Sequence, residues 1–230
     1  MKSPAADGAG AGLPARQALV LVTPGDRPAA ALLDLARAAL AGGVSALLLR
    51  EPQLPPEARA RLAHELRRAT AEHGALLLVS RDAALAVACD ADGVHAGWGG
   101  PDVAALRAEL PGRLVGRSCH WPVEPDDLRA DWLLLSPFRP TSRSHPRPLL
   151  SESQARTVLA RPGLPPAVAL GGLRAHDVPA LPEGLVGVAV VRAIADAADP
   201  RAAARALRAA VQARLAGAPR FGPPIAAERA

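Results

Sequence analysis

Two short segments of the chain have the makings of an anion site: Gly171-Gly172 and Val191-Arg192. Paired glycines clear the way for backbone N–H groups to approach a phosphate, and Arg192 adds a planar guanidinium beside further N–H groups. Gly-Gly alone is equally explained by a tight turn and Arg192 by solvation, so the phosphate reading rests on the two together. Thr141, Ser142, Ser144 and His145 lie between Pro140 and Pro146, where a stiffened loop presents hydroxyls and an imidazole, a composition shared with plain polar turns. His120 closes the run Gly116-Arg117-Ser118-Cys119-His120, and imidazole is the side chain that titrates near neutral pH. A lone histidine in a loop is otherwise a hydrogen-bonded structural residue. Cys89 and Cys119 form no CxxC and have no metal-type spacing, so they read as small buried hydrophobes rather than a disulfide or zinc site.

The elements that would position these residues are legible as apolar runs that break off at a polar residue or glycine. The strands read as Ala18–Val22, Val44–Leu49, Leu76–Ser80, Gly93–His95, Leu114–Ser118, Leu133–Ser136, Val168–Leu170 and Val186–Val191. Such runs are apolar on both faces, as parallel strands covered by helices must be, and they deliver polar residues to one rim. Helical spacing fills the intervals at 28–40, 56–73, 82–89, 101–109, 124–130, 152–160, 175–181 and 200–215. Alternation through eight units predicts a closed (β/α)₈ TIM barrel. The open doubly wound sheet lacks its sign, because the first turn, Thr23-Pro24-Gly25-Asp26-Arg27-Pro28, contains no GxGxxG. In a barrel, Gly171-Gly172 and Val191-Arg192 follow strands seven and eight, where phosphates commonly sit.

The 230 residues suit one barrel domain over 17–216, with an Ala/Gly-rich tail at 1–16 and a Pro/Ala-rich tail at 217–230. Half the residues are hydrophobic but only 2% are aromatic, so the core must be Leu, Val and Ala. The formal charge of +5 invites a nucleic-acid partner, yet the arginines sit beside acids on helix faces and lack interleaved aromatics, so none is expected. No apolar stretch is long enough to span a bilayer and the first residues lack the core of a signal peptide, giving a cytoplasmic expectation without membrane contact.

With these motifs in place, the chain resembles the thiamine phosphate synthase and TenI family of barrels from about Leu19 to Leu215. The resemblance is carried by Gly43-Val44 with Leu49-Arg50-Glu51, Ala91-Asp92-Gly93-Val94-His95-Ala96-Gly97, Gly116-Arg117-Ser118-Cys119-His120 and Ser136-Pro137-Phe138-Arg139-Pro140-Thr141-Ser142. It continues through Ala169-Leu170-Gly171-Gly172 and Gly187-Val188-Ala189-Val190-Val191 with Ala193-Ile194. It implies a role in thiamine biosynthesis. Synthases of the family join a hydroxymethylpyrimidine diphosphate to a thiazole phosphate, whereas TenI-like members aromatise the thiazole phosphate by moving a proton.

The family's synthase pattern is met only in part. Its strand-two Gln-x-Arg-Glu-Lys appears here as Leu48, Arg50, Glu51 and Pro52 around the retained arginine. Its strand-three Asn-Asp falls on Ser80 and Arg81, and its strand-four Gln-Glu-Asp on Trp98-Gly99-Gly100, so both magnesium carboxylates are missing. Asp82 and Asp102 lie one or two positions away, but magnesium asks for near-octahedral oxygen ligands, with which an arginine in the cation's place conflicts.

The resemblance therefore implies a metal-independent, TenI-like thiazole phosphate tautomerase with no cofactor and His120 as acid/base. Arg50, Ser80, Arg81, Ser118, Thr141, Ser144, His145, Gly171, Gly172, Val191 and Arg192 would bind the substrate phosphate. His95, at the end of strand four, is expected to be structural, with a role in supporting a neighbouring site residue left open. The alternative is a diverged synthase, with Mg²⁺ only in that case and with Arg50 and Arg81 taking over part of its charge neutralisation. A non-catalytic phosphate-ligand binder is the second alternative. The expected partner is a small thiazole phosphate, with homo-oligomerisation left open.

Overall fold

A computed structural model describes residues 18–141 and 148–217. The strands β1 (Ala18–Val22), β2 (Ala46–Leu49), β3 (Leu76–Ser80), β4 (Gly93–Ala96), β5 (Leu114–Cys119), β6 (Trp132–Leu135), β7 (Ala167–Leu170) and β8 (Leu185–Val190) pair in sequence order into a closed parallel barrel, the (β/α)₈ fold that the alternating runs predict. The seam closes through β1 and β8, where Ala18 pairs with Gly187 and Val20 with Ala189. Gly187 is a steric requirement there, since a Cβ would stand 1.9 Å from the Ala18 carbonyl oxygen.

Strand periodicity divides the core in two. Val20, Leu48, Leu78, Trp132, Leu134, Val168 and Ala189 point into the barrel. Leu19, Leu21, Leu47, Leu77, Val79, Leu133, Leu135 and Val188 point outward beneath the helices. The interior is filled by aliphatic side chains and one large aromatic, Trp132, which is fully buried. Room for that indole comes from Gly116 on the neighbouring strand, where a Cβ would lie 2.1 Å from the ring.

The helices α1 (Ala29–Ala41), α2 (Pro56–Glu72), α3 (Ala83–Ala88), α4 (Val103–Glu109), α5 (Glu152–Leu159), α6 (Arg192–Ala195) and α7 (Pro200–Ala216) cover the outside. In α1 the buried residues Leu32, Leu35, Ala36, Ala39 and Leu40 keep the helical spacing that places them on one face.

The structure differs from the sequence expectation in four places. The intervals after β5 and β7 form 3₁₀ helices, Pro125–Arg129 and Ala175–Ala180, rather than α-helices. Both are short, and Pro179 inside the second removes a donor that an α-helix would use. A separate turn, α6, follows β8, and α7 starts afresh at Pro200 under an Asp199 cap whose side chain accepts from the Ala202 N–H. The strand at 44 begins two residues later than the apolar run suggests, although Ser45 just before it still bonds Leu19 and Leu76 through its backbone, and its side chain accepts from the Leu19 N–H.

The expected tails lie outside the described residues, except Gly217, which caps α7. Among the described residues no helix is long and apolar enough to cross a membrane. Many arginines of the helical layer pair with acids of neighbouring elements, as Arg59 does with Asp82, Arg67 with Asp92 and Arg107 with Asp131.

Candidate active site

The inward alternation that buries Leu48, Leu78, Trp132 and Leu134 continues to the strand C-termini, where polar residues replace apolar ones. Arg50 follows β2, Ser80 ends β3, His95 lies in β4, Ser118 in β5, His120 just beyond it and Ser136 just beyond β6. Adjacent strands bring Ser80 level with His95. Ser118 Oγ reaches His95 Nε2 at 3.0 Å. The His95 ring also packs on Trp132 with centroids 5.0 Å apart.

Burial drives the His95 pKa down to about 3, and the positive charges of Arg81, Arg117 and Arg50 push in the same direction. His95 is therefore a neutral imidazole at physiological pH. His95 Nδ1 and Trp132 Nε1 are both buried without a protein hydrogen-bond partner among the described residues.

Of these arginines, Arg117 does not face the mouth. Its position in β5 turns it outward, where it is clamped by Asp127 at 2.9 Å, Asp126 at 3.0 Å and Glu124 at 3.4 Å. It fastens the 3₁₀ helix to the barrel wall. Arg50 is exposed at the rim, and its backbone N–H donates to Thr23 Oγ1 at 2.8 Å. Glu51, which sequence reasoning did not place in the site, is 2% exposed and accepts from the Gly25 N–H at 2.9 Å, tying the β1 and β2 loops together.

Arg81 takes a left-handed backbone conformation, with φ of 61°. Its guanidinium crosses to the β4 loop and donates to the Trp98 carbonyl. Gly97 makes the crossing possible, for a Cβ there would lie 2.6 Å from Arg81 Nε.

The residues at these positions do not fit a divalent cation. Where the resemblance puts two carboxylates stand Arg81 and Gly100, and the neighbouring acids are committed elsewhere. Asp82 accepts from the Leu85 N–H and pairs with Arg59 at 3.0 Å, and Asp102 accepts from the Ala105 N–H, so each caps a helix. Among the described residues no group of three or more His, Cys, Asp or Glu could hold a metal ion.

His120 Nδ1 lies 2.8 Å from the Ser136 carbonyl oxygen. A carbonyl only accepts, so Nδ1 carries the proton in that contact and Nε2 is the basic nitrogen of the neutral ring. His120, Ser118, Trp98, Pro122, Glu124 and Asp127 line a small cleft at the top of β5. A larger cleft of about 470 Å³ lies beside α4, lined by Asp102, Arg117, Glu124, Pro125, Asp126 and Arg129; Arg117 is already ion-paired with Glu124 and Asp126. Cys119 is fully buried and its thiol is pushed far up by burial, which removes it as a nucleophile.

The β7 and β8 loops are neighbours through the pairing of their strands. Gly171 and Gly172 have φ of 111° and 59°. Their first service is to the chain itself: the Gly171 carbonyl accepts from the Arg139 N–H at 3.1 Å. A Cβ on Gly172 would lie 2.2 Å from the Pro140 carbonyl oxygen. The glycines are thus needed to let the β6 loop cross over β7. Arg192 is engaged as well, at 2.5 Å from Asp26 and 3.3 Å from Asp196, and the bond to Asp26 raises its already high pKa. Val191 caps the short α6, and its carbonyl accepts from the Ala195 N–H at 3.0 Å. Thr141 is exposed on the β6 loop, while Ser144 and His145 lie outside the described residues.

The structure therefore gathers Arg50, Ser80, Arg81, Ser118 and His120 on the β2 to β5 side of the mouth, and Gly171, Gly172, Val191 and Arg192 on the β7 to β8 side. The thiamine monophosphate synthase family matches residues 19–194, through every strand that carries these groups. The chain belongs to that family. A relative from Geobacillus kaustophilus, named thiamine-phosphate synthase, is 37% identical over 199 residues, 82% of this chain and 87% of that protein. A thiamine-phosphate synthase from Chromobacterium violaceum is 37% identical over 204 residues, 84% of this chain and 96% of its own. The solved structure of thiamine phosphate pyrophosphorylase from Pyrococcus furiosus superposes with a TM-score of 0.74 at 25% identity, covering 86% of this chain and 97% of that one.

Membership places the protein among enzymes of thiamine biosynthesis that take small-molecule substrates. Within the family, these names weigh toward the synthase and against the tautomerase expected from the lost carboxylates.

Proposed function

We propose that the protein is a diverged thiamine-phosphate synthase in which arginine meets the diphosphate charge that the family pattern assigns to magnesium. The observation that carries this reading is Arg81. Its guanidinium spans the β3 and β4 loops, the two loops in which the metal carboxylates are missing, and lies near enough to His95 to lower its basicity together with Arg50. A guanidinium is planar, permanently charged and suited to bidentate phosphate contacts. In the reaction the thiazole nitrogen attacks the pyrimidine methylene carbon, the bond from that carbon to the diphosphate oxygen breaks, and diphosphate leaves with the electron pair. Arg50 and Arg81 would stabilise that leaving charge, and Ser118, oriented by neutral His95, would donate to it. The β7 and β8 loops, with Arg192, would hold the thiazole phosphate.

His120 favours a second reading, the metal-independent tautomerase. It faces the same cleft as Ser118, and its contact with the Ser136 carbonyl fixes the tautomer that leaves Nε2 as the base. One assay separates the two: purified protein with the thiazole carboxylate phosphate tautomer, with and without the hydroxymethylpyrimidine diphosphate, in excess chelator. Thiamine phosphate formed from both substrates, with release of diphosphate and of the thiazole carboxyl group as carbon dioxide, supports the synthase. Isomerised thiazole phosphate with no coupling, lost by about 10² to 10⁴ in His120→Ala, supports the tautomerase instead. Binding of the thiazole phosphate with neither reaction leaves the non-catalytic binder.

A further inference from the structure

Aromatic residues are scarce in this chain, which has three Trp, two Phe and no Tyr. Trp132 and Phe138 are buried. Trp98 and Trp121, by contrast, are 48% and 41% exposed, and both sit on loops at the C-terminal end of the barrel. A singly exposed hydrophobe is ordinary on a protein surface, so what distinguishes Trp98 is the set of groups that share its cleft.

Trp98 lines the cleft that also holds Ser118 and His120. Its segment is held on one side by the Arg81 guanidinium at its carbonyl, and Gly97 keeps a side chain off that contact. An indole, a hydroxyl and an imidazole thus line one cleft, whose two carboxylates, Glu124 and Asp127, are paired with Arg117, and the Arg81 guanidinium lies beside it at the Trp98 carbonyl. This combination fits a planar heteroaromatic ring that carries a phosphate: the ring against the indole, the charge toward the arginine.

We propose that Trp98 is the stacking wall for the pyrimidine ring of the diphosphate substrate, and so a specificity-determining residue of this site. The proposal rests on the function proposed above for the identity of the ring, but not for the existence of the wall. Stacking on a π-face tolerates any flat ring, so the wall selects aromatic phosphates over aliphatic or inorganic phosphate and leaves the choice among rings to the polar groups around it.

The test measures affinity by calorimetry for hydroxymethylpyrimidine diphosphate, a pyridine-ring phosphate and inorganic diphosphate, in the full chain and in Trp98→Ala, Trp98→Phe and Trp121→Phe. Tryptophan fluorescence follows each titration. The ring ligands should quench the wild-type emission and inorganic diphosphate should not. Trp98→Ala should weaken the ring ligands by about tenfold and leave inorganic diphosphate unchanged, while Trp98→Phe restores most of the affinity and Trp121→Phe has no effect. Equal affinity of Trp98→Ala and wild type for the ring ligands overturns the proposal. So does a loss shared equally by inorganic diphosphate, or the absence of any quenching. If the pyridine phosphate binds through Trp98 and the pyrimidine diphosphate does not bind, the wall stands and the thiamine reading of the site falls.

Discussion

Ser118 Oγ and His95 Nε2 stand 3.0 Å apart across the β4–β5 pair, at the level where the barrel interior changes from apolar to polar. The hydroxyl that faces the cleft is thereby held by an imidazole that burial and the Arg81, Arg117 and Arg50 charges keep neutral.

His95 therefore sets a pH dependence of stability. Its folded pKa of about 3 lies below the ordinary value of 6.5, so below pH 6.5 the unfolded chain binds a proton that the folded chain refuses. The stability tied to neutral His95 is complete above pH 6.5 and drains away as pH falls toward 3. His95→Gln cannot take up that proton. Urea midpoints measured from pH 7.5 down to 4.5 should fall more steeply for wild type than for the variant, and parallel curves would show that the ring is not held neutral.

Gly172→Ala should destabilise the barrel before it touches any ligand. The left-handed backbone at φ of 59° disfavours a side chain, and the new Cβ would meet the Pro140 carbonyl oxygen at 2.2 Å. Strain and the displaced β6 loop together should cost on the order of 2 kcal/mol, read as a lower urea midpoint. An unchanged midpoint would mean that the two loops do not cross as closely as described.

The Arg192 guanidinium has to be shared between Asp26 and any incoming anion. Asp26→Asn neutralises the nearer of its two carboxylate partners, leaving Asp196, and removes a negative charge beside the site. Affinity for inorganic phosphate should then rise by up to about fivefold, the range of a partly exposed ion pair, and should fall by a similar factor in Arg192→Ala. Identical affinities for wild type and both variants in calorimetry would remove Arg192 from the anion site.

Activity should persist in excess chelator, and calorimetry with Mg²⁺ should show no binding in the substrate-free chain. Asp82→Ala should behave as the loss of a helix cap, costing about 1 kcal/mol of stability through the lost Leu85 N–H contact, with turnover per folded molecule retained. Activity that requires Mg²⁺ and vanishes in Asp82→Ala or Asp102→Ala would make these acids metal ligands instead.

By itself the sequence determined the barrel and its active rim. The apolar runs, buried on both faces and broken at Arg50, Ser80, Ser118 and Gly171, state a period and a polarity that only parallel strands with helical cover can satisfy. The strand ends carry the polar residues because alternation is a local rule: once Leu48 and Leu78 face inward, Arg50 and Ser80 follow. The order of motifs also sufficed for the family.

Tertiary structure alone decided what each group is free to do. Arg192 and Gly172 read as anion groups in sequence, but Asp26 and Pro140, far away along the chain, already engage or crowd them. Arg117 and Arg81 look alike as arginines at strand ends. The pleat sends Arg117 outward to Asp126 and Asp127, while a left-handed turn sends Arg81 across to Trp98. Trp98 itself gave no local signal beyond its rarity. Its significance depends on which side chains share its cleft, and that is fixed by barrel closure, which brings β4 and β5 together and sets the height of each residue on the rim.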